Sequence, residues 1–126
     1  LGQDLTCPFC HPLPPDIVLR SHHCYARWDK FPVTEGHLLI IPDRHFADYF
    51  EATHAEKADL WAFVDECQAF LMERYHPDGF NVGINVGSAA GQTIGHVHIH
   101  LIPRRKGDME HPRGGVRHVI PSKGNY

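Results

Sequence analysis

An α+β domain, one antiparallel sheet with a single main helix packed on it, is the fold the sequence predicts. Three observations lead there: short apolar or alternating runs of strand length, one long segment at helical period, and turns marked by glycine or proline between them. The 126 residues fit one domain, read as an opening segment over 1–23, a core over 24–105 and a tail over 106–126.

Residues 1–22 include Pro8, Pro12, Pro14 and Pro15 and are expected to hold little regular structure before Asp16. The opening Leu1-Gly2-Gln3 has neither an initiating Met nor a signal-like apolar stretch, as in a trimmed sequence. Residues 24–28 read as a strand, with Tyr25 and Trp28 as strand formers, and Asp29-Lys30-Phe31-Pro32 follows as a loop. Gly36 precedes Leu38-Leu39-Ile40-Ile41, an apolar run stopped by Pro42 and suited to a strand buried on both faces.

The clearest helix spans 53–76. Thr53 and Glu56 have capping-box spacing, and Leu60, Val64, Cys67 and Leu71 recur at helical period. Pro77 disfavours helical geometry in the residue before it and sets the end. Trp61, Phe63 and Phe70 widen the apolar face beyond what one core contact needs, which offers a surface for pairing. Over 80–86, Phe80, Val82, Ile84 and Val86 alternate with Asn81, Gly83 and Asn85, as on a strand with one apolar face. A small-residue loop over 88–95 leads into a last core strand over 96–103, and the tail beyond Arg104 is expected to be ordered but irregular.

The formal charge of −3 leaves no broad basic footprint for nucleic acid or anionic membrane. No apolar run approaches the roughly 20 residues of a membrane span. Four cysteines in a chain this long do not make a disulfide scaffold. Cys7 and Cys10 stand as C-P-F-C, a spacing suited to metal ligation, while Cys24 and Cys67 read as small buried thiols. A reducing cytoplasm is the compartment this usage implies. Twelve histidines are the unusual feature, and their clustering points to chemistry.

His96-Val97-His98-Ile99-His100-Leu101 alternates over three histidines. On a strand the three imidazoles share one face while Val97, Ile99 and Leu101 enter the core. Imidazole near neutrality can act as base, acid or nucleophile. The row can also be a solvated polar face, or a metal site using two of the three rings. Gly91-Gln92-Thr93-Ile94-Gly95 leads directly into it, and small residues there let backbone N–H groups approach an anion while Gln92 and Thr93 offer neutral hydrogen bonds. The pair of features resembles a phosphate cradle facing a nucleophile.

The run from Gly91 through Ile102 resembles the signature of the histidine-triad (HIT) family: histidine, apolar, histidine, apolar, histidine, apolar, apolar. The match extends upstream through Asp29-Lys30-Phe31-Pro32-Val33, Gly36-His37-Leu38-Leu39-Ile40-Ile41-Pro42 and Arg44-His45, and through Asn81 to Gly87, so most of 24–105 is covered. The tail, with Gly107-Asp108 and Pro112-Arg113-Gly114-Gly115-Val116-Arg117, resembles bacterial members that hydrolyse dinucleoside polyphosphates.

The resemblance implies a HIT-like fold, usually a homodimer, with His98 as nucleophile on the α-phosphorus of an adenosine-type nucleotide or dinucleoside polyphosphate. The His96 carbonyl would hold one ring nitrogen of His98. His100, Gln92 and Thr93 would bond phosphate oxygens, His37 would buttress the triad, Asp29 would bind the ribose hydroxyls, and Asn85 would lie near the nucleotide. Asp29 can also simply start a turn, Asn85 satisfy strand-edge backbone, and His37 fill the core. Arg104, Arg105, Lys106, Arg113 and Arg117 either surround a long polyphosphate or form a solvated basic tail. Some family members carry a structural zinc, which here would take Cys7, Cys10, His45 and His96, with His11, His22 and His23 as rival ligands; no metal would be required at the nucleophile. The alternatives are a purine nucleoside phosphoramidase, a nucleotide-binding module with vestigial turnover serving a protein partner, and a metal hydrolase built on His98 and His100.

Overall fold

The structure, a computed structural model, describes residues 5–126; Leu1, Gly2, Gln3 and Asp4 of the predicted opening segment lie outside the described residues. Five strands, β1 (Leu19–Arg20), β2 (Cys24–Trp28), β3 (Leu38–Pro42), β4 (Gly79–Ile84) and β5 (Ile99–Arg104), form one sheet in the order β1-β2-β3-β5-β4. Every neighbouring pair is antiparallel. The single α-helix among the described residues, α1 (His54–Tyr75), packs on one face, burying Leu60, Phe63, Val64, Cys67 and Leu71 against Cys24, Ala26, Leu38, Ile40, Ile99 and Leu101.

The helix forms where its caps put it. Thr53 Oγ1 accepts the Glu56 backbone N–H at 3.1 Å, and Glu56 Oε1 accepts the Thr53 N–H at 2.8 Å. Arg44 adds two 2.8 Å bonds to the same carboxylate, and these bonds hold the Glu56 pKa down to about 2, the Arg44 guanidinium contributing most. At the other end His76 turns left-handed (φ 50°) and donates its N–H to the Met72 carbonyl, one residue before Pro77. Of the three aromatics expected to widen the exposed face, Phe63 is buried and Phe70 packs partly against the core, leaving Trp61 exposed; the helix turns them inward because the core already spans its Phe63–Val64–Cys67 stripe.

Two boundaries differ from the sequence expectation. The ladder of β5 begins at Ile99 instead of residue 96, because β3 ends on Pro42, which has no N–H to offer, and the Pro42 carbonyl accepts the His96 ring instead of a strand amide. Val97 N–H goes to the Phe46 carbonyl. The β4 ladder consequently stops at the Ile84–Ile99 pair, short of Val86. The alternation itself survives: Val97, Ile99 and Leu101 are all buried, and Ile99 and Leu101 join the core beneath α1. β1 was not foreseen, since two residues carry no periodicity.

Gly36 allows the turn into β3. It has φ 91°, and a Cβ there would come within 2.8 Å of the Tyr75 ring, so the end of α1 closes directly over the turn. Thr53→Ala removes the cap acceptor and should lower the unfolding free energy by about 1 kcal/mol in urea titration; an unchanged midpoint would show that the Arg44–Glu56 pair alone holds the helix start.

Candidate functional site

The face of the sheet opposite α1 is the floor of a cavity of about 1090 Å³, at the upper end of small-molecule sites. Strand pairing fixes which side chains line it. Arg27 opposes Leu39, Leu39 opposes His100, and His100 opposes Gly83, so these positions point to one side. Pro8 and Phe9 wall the β2 side, and Gly115, Val116 and Val119 of the tail wall the β4 side. Tyr25 pins the first wall by donating its hydroxyl to the Phe9 carbonyl at 2.6 Å.

Backbone groups fix which ring nitrogens carry protons. His96 Nε2 lies 2.7 Å from the Pro42 carbonyl, which can only accept, so Nε2 holds the hydrogen and Nδ1 presents a lone pair. His98 Nδ1 likewise donates to the His96 carbonyl at 2.8 Å. His98 Nε2 is thus unprotonated in the neutral ring, and no described protein group bonds it. Its ring lies 5.2 Å from Phe9 and 5.1 Å from His100.

A second chain of bonds runs through His37. The Val33 N–H can only donate, and it points at His37 Nδ1 at 3.1 Å. His37 therefore carries its proton on Nε2, which faces His100 Nδ1 at 3.0 Å and Asp29 Oδ2 at 3.4 Å. His100 Nδ1 must accept, which puts the remaining proton on His100 Nε2. That nitrogen is buried and has no hydrogen-bond partner among the described residues, a donor left over in a ring that lines the cavity. Asp29, His37 and His100 lie close enough together to suggest a metal. The Val33 N–H argues otherwise, because a metal on Nε2 needs the proton on Nδ1.

Beside this site Cys7, Cys10, His45 and His96 converge. Cys7 Sγ lies 3.4 Å and Cys10 Sγ 3.5 Å from His96 Nδ1; His45 Nδ1 lies 3.2 Å from both Cys10 Sγ and His96 Nδ1. Bond lengths of zinc to sulfur and nitrogen imply tetrahedral ligand separations of roughly 3.3–3.8 Å, which these distances approach. Cys7 and Cys10 are not disulfide-linked. The cluster can hold a metal, and His11, His22 and His23 take no part in it. Cys24 and Cys67 are fully buried in the α1 core, and burial pushes the Cys67 thiol up to about 12.

Residues 12–107 match the family model described as HIT domain. The chain belongs to the HIT family. Among its relatives, a Dictyostelium discoideum protein named bis(5'-adenosyl)-triphosphatase is 40% identical over 95 residues, 75% of this chain and 64% of that one. A Mycobacterium tuberculosis protein named AP-4-A phosphorylase is 36% identical over 93 residues, 73% of this chain and 48% of that one. The chain thus spans about half to two thirds of the length of these relatives. A zinc-bound histidine triad family protein from Mycobacterium smegmatis, 32% identical, superposes with a TM-score of 0.74 over 82% of this chain and 78% of that one.

Most residues that the HIT resemblance singled out meet at the cavity: Asp29, His37, Asn85, Thr93, His98 and His100 line it. Asp29 also starts a turn, its Oδ1 accepting the Phe31 N–H at 2.9 Å. Of the residues expected to bond phosphate oxygens, Gln92 is the exception. Its amide donates to the Ala47 and Ile94 carbonyls and its oxygen accepts the Gly87 N–H at 2.8 Å, so it ties the loop down instead of lining the cavity. The basic tail is likewise spent on local partners. Arg104 forks onto Asp108 and bonds Asn81, Arg105 donates to the Glu35 carbonyl, and Arg113 and Arg117 stack over Tyr126. None of these, nor Lys106, lines the cavity; Arg27 and Lys30 do, although no sequence pattern marks either as a site residue.

Burial lowers the His100 pKa to about 4, with the neighbouring His98 and His37 adding to the shift and Asp29 opposing it. Burial also lowers His37, again against Asp29. Both folded values lie below the unfolded one, so the unfolded chain takes up protons first as pH falls. The stability that the neutral rings contribute is complete above about pH 6.5 and is lost as pH drops toward the folded values. Urea midpoints should therefore fall between about pH 7 and about pH 5; a midpoint that holds or rises would contradict the neutral chain.

Proposed function

We propose that this HIT protein hydrolyses dinucleoside polyphosphates or related adenosine nucleotides at the α-phosphate, through a covalent nucleotidyl intermediate on His98. The observation that carries the reading is the free, unprotonated Nε2 of His98 beside the buried, unpartnered N–H of His100. The names of the Dictyostelium and Mycobacterium relatives support the substrate class.

In this mechanism the His98 Nε2 lone pair attacks the α-phosphorus. A P–N bond forms, the P–O bond to the leaving polyphosphate breaks, and that oxygen keeps the bonding pair. The His96 carbonyl stabilises the positive charge that develops on the imidazole by holding its Nδ1 proton. His100 donates from Nε2 to a phosphate oxygen, with His37 holding the tautomer that makes this possible. Thr93 and Asn85 add contacts to the nucleotide and Asp29 takes the ribose hydroxyls, while Gln92 keeps the loop in shape. Water then attacks phosphorus and gives up a proton to solvent, the P–N bond breaks with its pair returning to His98 Nε2, and nucleoside monophosphate leaves with His98 restored. Splitting one displacement into two is the benefit of a covalent route.

Quenching the wild-type protein with diadenosine tetraphosphate should give a mass increase of one adenylyl group on His98. His98→Ala should show none and lose about three orders of magnitude or more in turnover. Turnover that survives the substitution, or an adduct elsewhere, would sink the mechanism.

The same reading includes a structural zinc on Cys7, Cys10, His45 and His96. Two thiolates and two imidazoles are a closed set of the kind structural zinc favours, and the His96 lone pair is turned toward the cluster by Pro42. The ion would anchor the opening segment and His96, outside the reacting centre. Protein purified without chelator should carry about one zinc per chain and Cys10→Ala should carry none; a metal-free wild type with unaltered thermal stability on zinc addition would remove this part. We include homodimer formation and a reducing, cytoplasmic setting in the reading, supported by the position of β4 at the edge of the sheet, the exposed Trp61 and cysteines that form no disulfide among the described residues.

A further inference from the structure

The cysteines divide into two pairs with opposite surroundings. Cys24 and Cys67 lie fully buried in the core under α1, where burial raises both thiols well above their ordinary range. Cys7 is partly exposed, and Cys10 stands behind it, buried. The Cys10 N–H reaches the Cys7 carbonyl at 3.4 Å, which closes a turn across C-P-F-C. Such a turn keeps its end Cα atoms under about 7 Å apart, and a disulfide spans roughly 4.4–6.8 Å. The two sulfurs already lie within 4.8 Å of each other. Joining them asks for side-chain rotation within the turn, without refolding of the chain.

What the turn carries makes its covalent state matter. Pro8 and Phe9, the two residues between the cysteines, wall the cavity. The Phe9 N–H donates to Cys7 Sγ at 3.4 Å, and the Phe9 ring lies edge-on to His98 at 5.2 Å and to His96 at 6.0 Å. Both sulfurs also stand against His96 Nδ1, and the His96 carbonyl holds the Nδ1 proton of His98. A sulfur that turns toward its partner withdraws from the Phe9 N–H and from His96 Nδ1. Two routes, one through an aromatic ring and one through a backbone carbonyl, therefore lead from the cysteine pair to His98.

We propose that Cys7 and Cys10 form a peroxide-sensitive dithiol whose disulfide disengages Phe9 and His96 and thereby switches the cavity off. The Cys7 sulfur, the accessible one, attacks an oxygen of hydrogen peroxide; the O–O bond breaks, and the departing hydroxide leaves as water with the thiol proton. The Cys10 sulfur then attacks the sulfenic sulfur of Cys7. An S–S bond forms, the S–O bond breaks, and hydroxide leaves as a second water with the Cys10 proton. Two thiols are oxidised, one peroxide is reduced, and a dithiol reductant reverses the change. The disulfide also removes two of the four groups that would hold the zinc, so metal and oxidant compete for the same sulfurs. The loss of turnover rests on the hydrolytic reading of His98, whereas the oxidation itself stands apart from it.

A stoichiometric amount of hydrogen peroxide added to the full chain as purified tests this. Peptide mapping should find a Cys7–Cys10 disulfide with Cys24 and Cys67 still reduced, and any zinc the protein carries should be released with it. The NMR signals of the His98 ring should move on oxidation and return with dithiothreitol. Diadenosine tetraphosphate turnover should fall about tenfold or more and recover with them. Thiols left intact, a disulfide that enlists Cys24 or Cys67, a Cys7–Cys10 bond that leaves the His98 signals in place, or unchanged turnover in a protein active before oxidation overturns the switch. Mapping and ring signals need no turnover, so a reduced protein that hydrolyses nothing counts against the hydrolytic reading alone.

Discussion

His96 engages both ring nitrogens and its carbonyl, and the rest of the site is arranged around those uses. Its Nε2–H goes to Pro42, its Nδ1 to the Cys7–Cys10–His45 cluster, and its carbonyl to His98. The ring is fully buried, so each group is either paired as seen or left unpaired in a low-dielectric interior, which is expensive. That leaves few alternatives. The opening segment must return to deliver Cys7 and Cys10, β3 must end where Pro42 offers its carbonyl, and His98 must hold its proton on Nδ1. One side chain thereby couples the position of the chain's first described turn to the protonation state of a ring two residues away.

The second set of constraints runs the other way, from Val33 through His37 to His100. A single backbone amide decides the tautomer of His37, and His37 decides that of His100. Asp29 sits at the joint, 3.4 Å from one ring and 3.9 Å from the other, so it shapes the same network while it faces the cavity. The two chains of hydrogen bonds meet where the rings of His98 and His100 lie edge to face. One ring is left with a bare lone pair and the other with a bare donor, the two halves of what a phosphorus centre requires.

Where the signal was local, the sequence disclosed it. The Thr53–Glu56 spacing and Pro77 bounded α1 to within a residue, and the alternation of Val97, Ile99 and Leu101 disclosed which way the histidines face. What escaped was decided by partners far along the chain. The start of β5 depends on Pro42 having no N–H. The role of Gln92 depends on the Ala47 carbonyl, 45 residues away. The engagement of Arg104 depends on Asn81 and Asp108, and nothing in a row of basic residues reveals that each has a local acceptor waiting. Arg27 and Lys30 were passed over because single cations in a strand and a loop carry no pattern of their own.

The floor of the cavity belongs to the strand ladder, whereas both of its walls come from stretches flanking the strands in sequence, Pro8–Phe9 on one side and Gly115–Val119 on the other. Ladder residues are bound by register, since a slip of one position would turn the histidines into the core. Phe9 is held as well, by its burial against Tyr25, Leu39 and Ile41, whereas the exposed Val116 and Val119 carry no such obligation. Descendants of this chain are therefore free to recompose the tail bank, and with it the range of molecules admitted, while the machinery on the riverbed stays as it is.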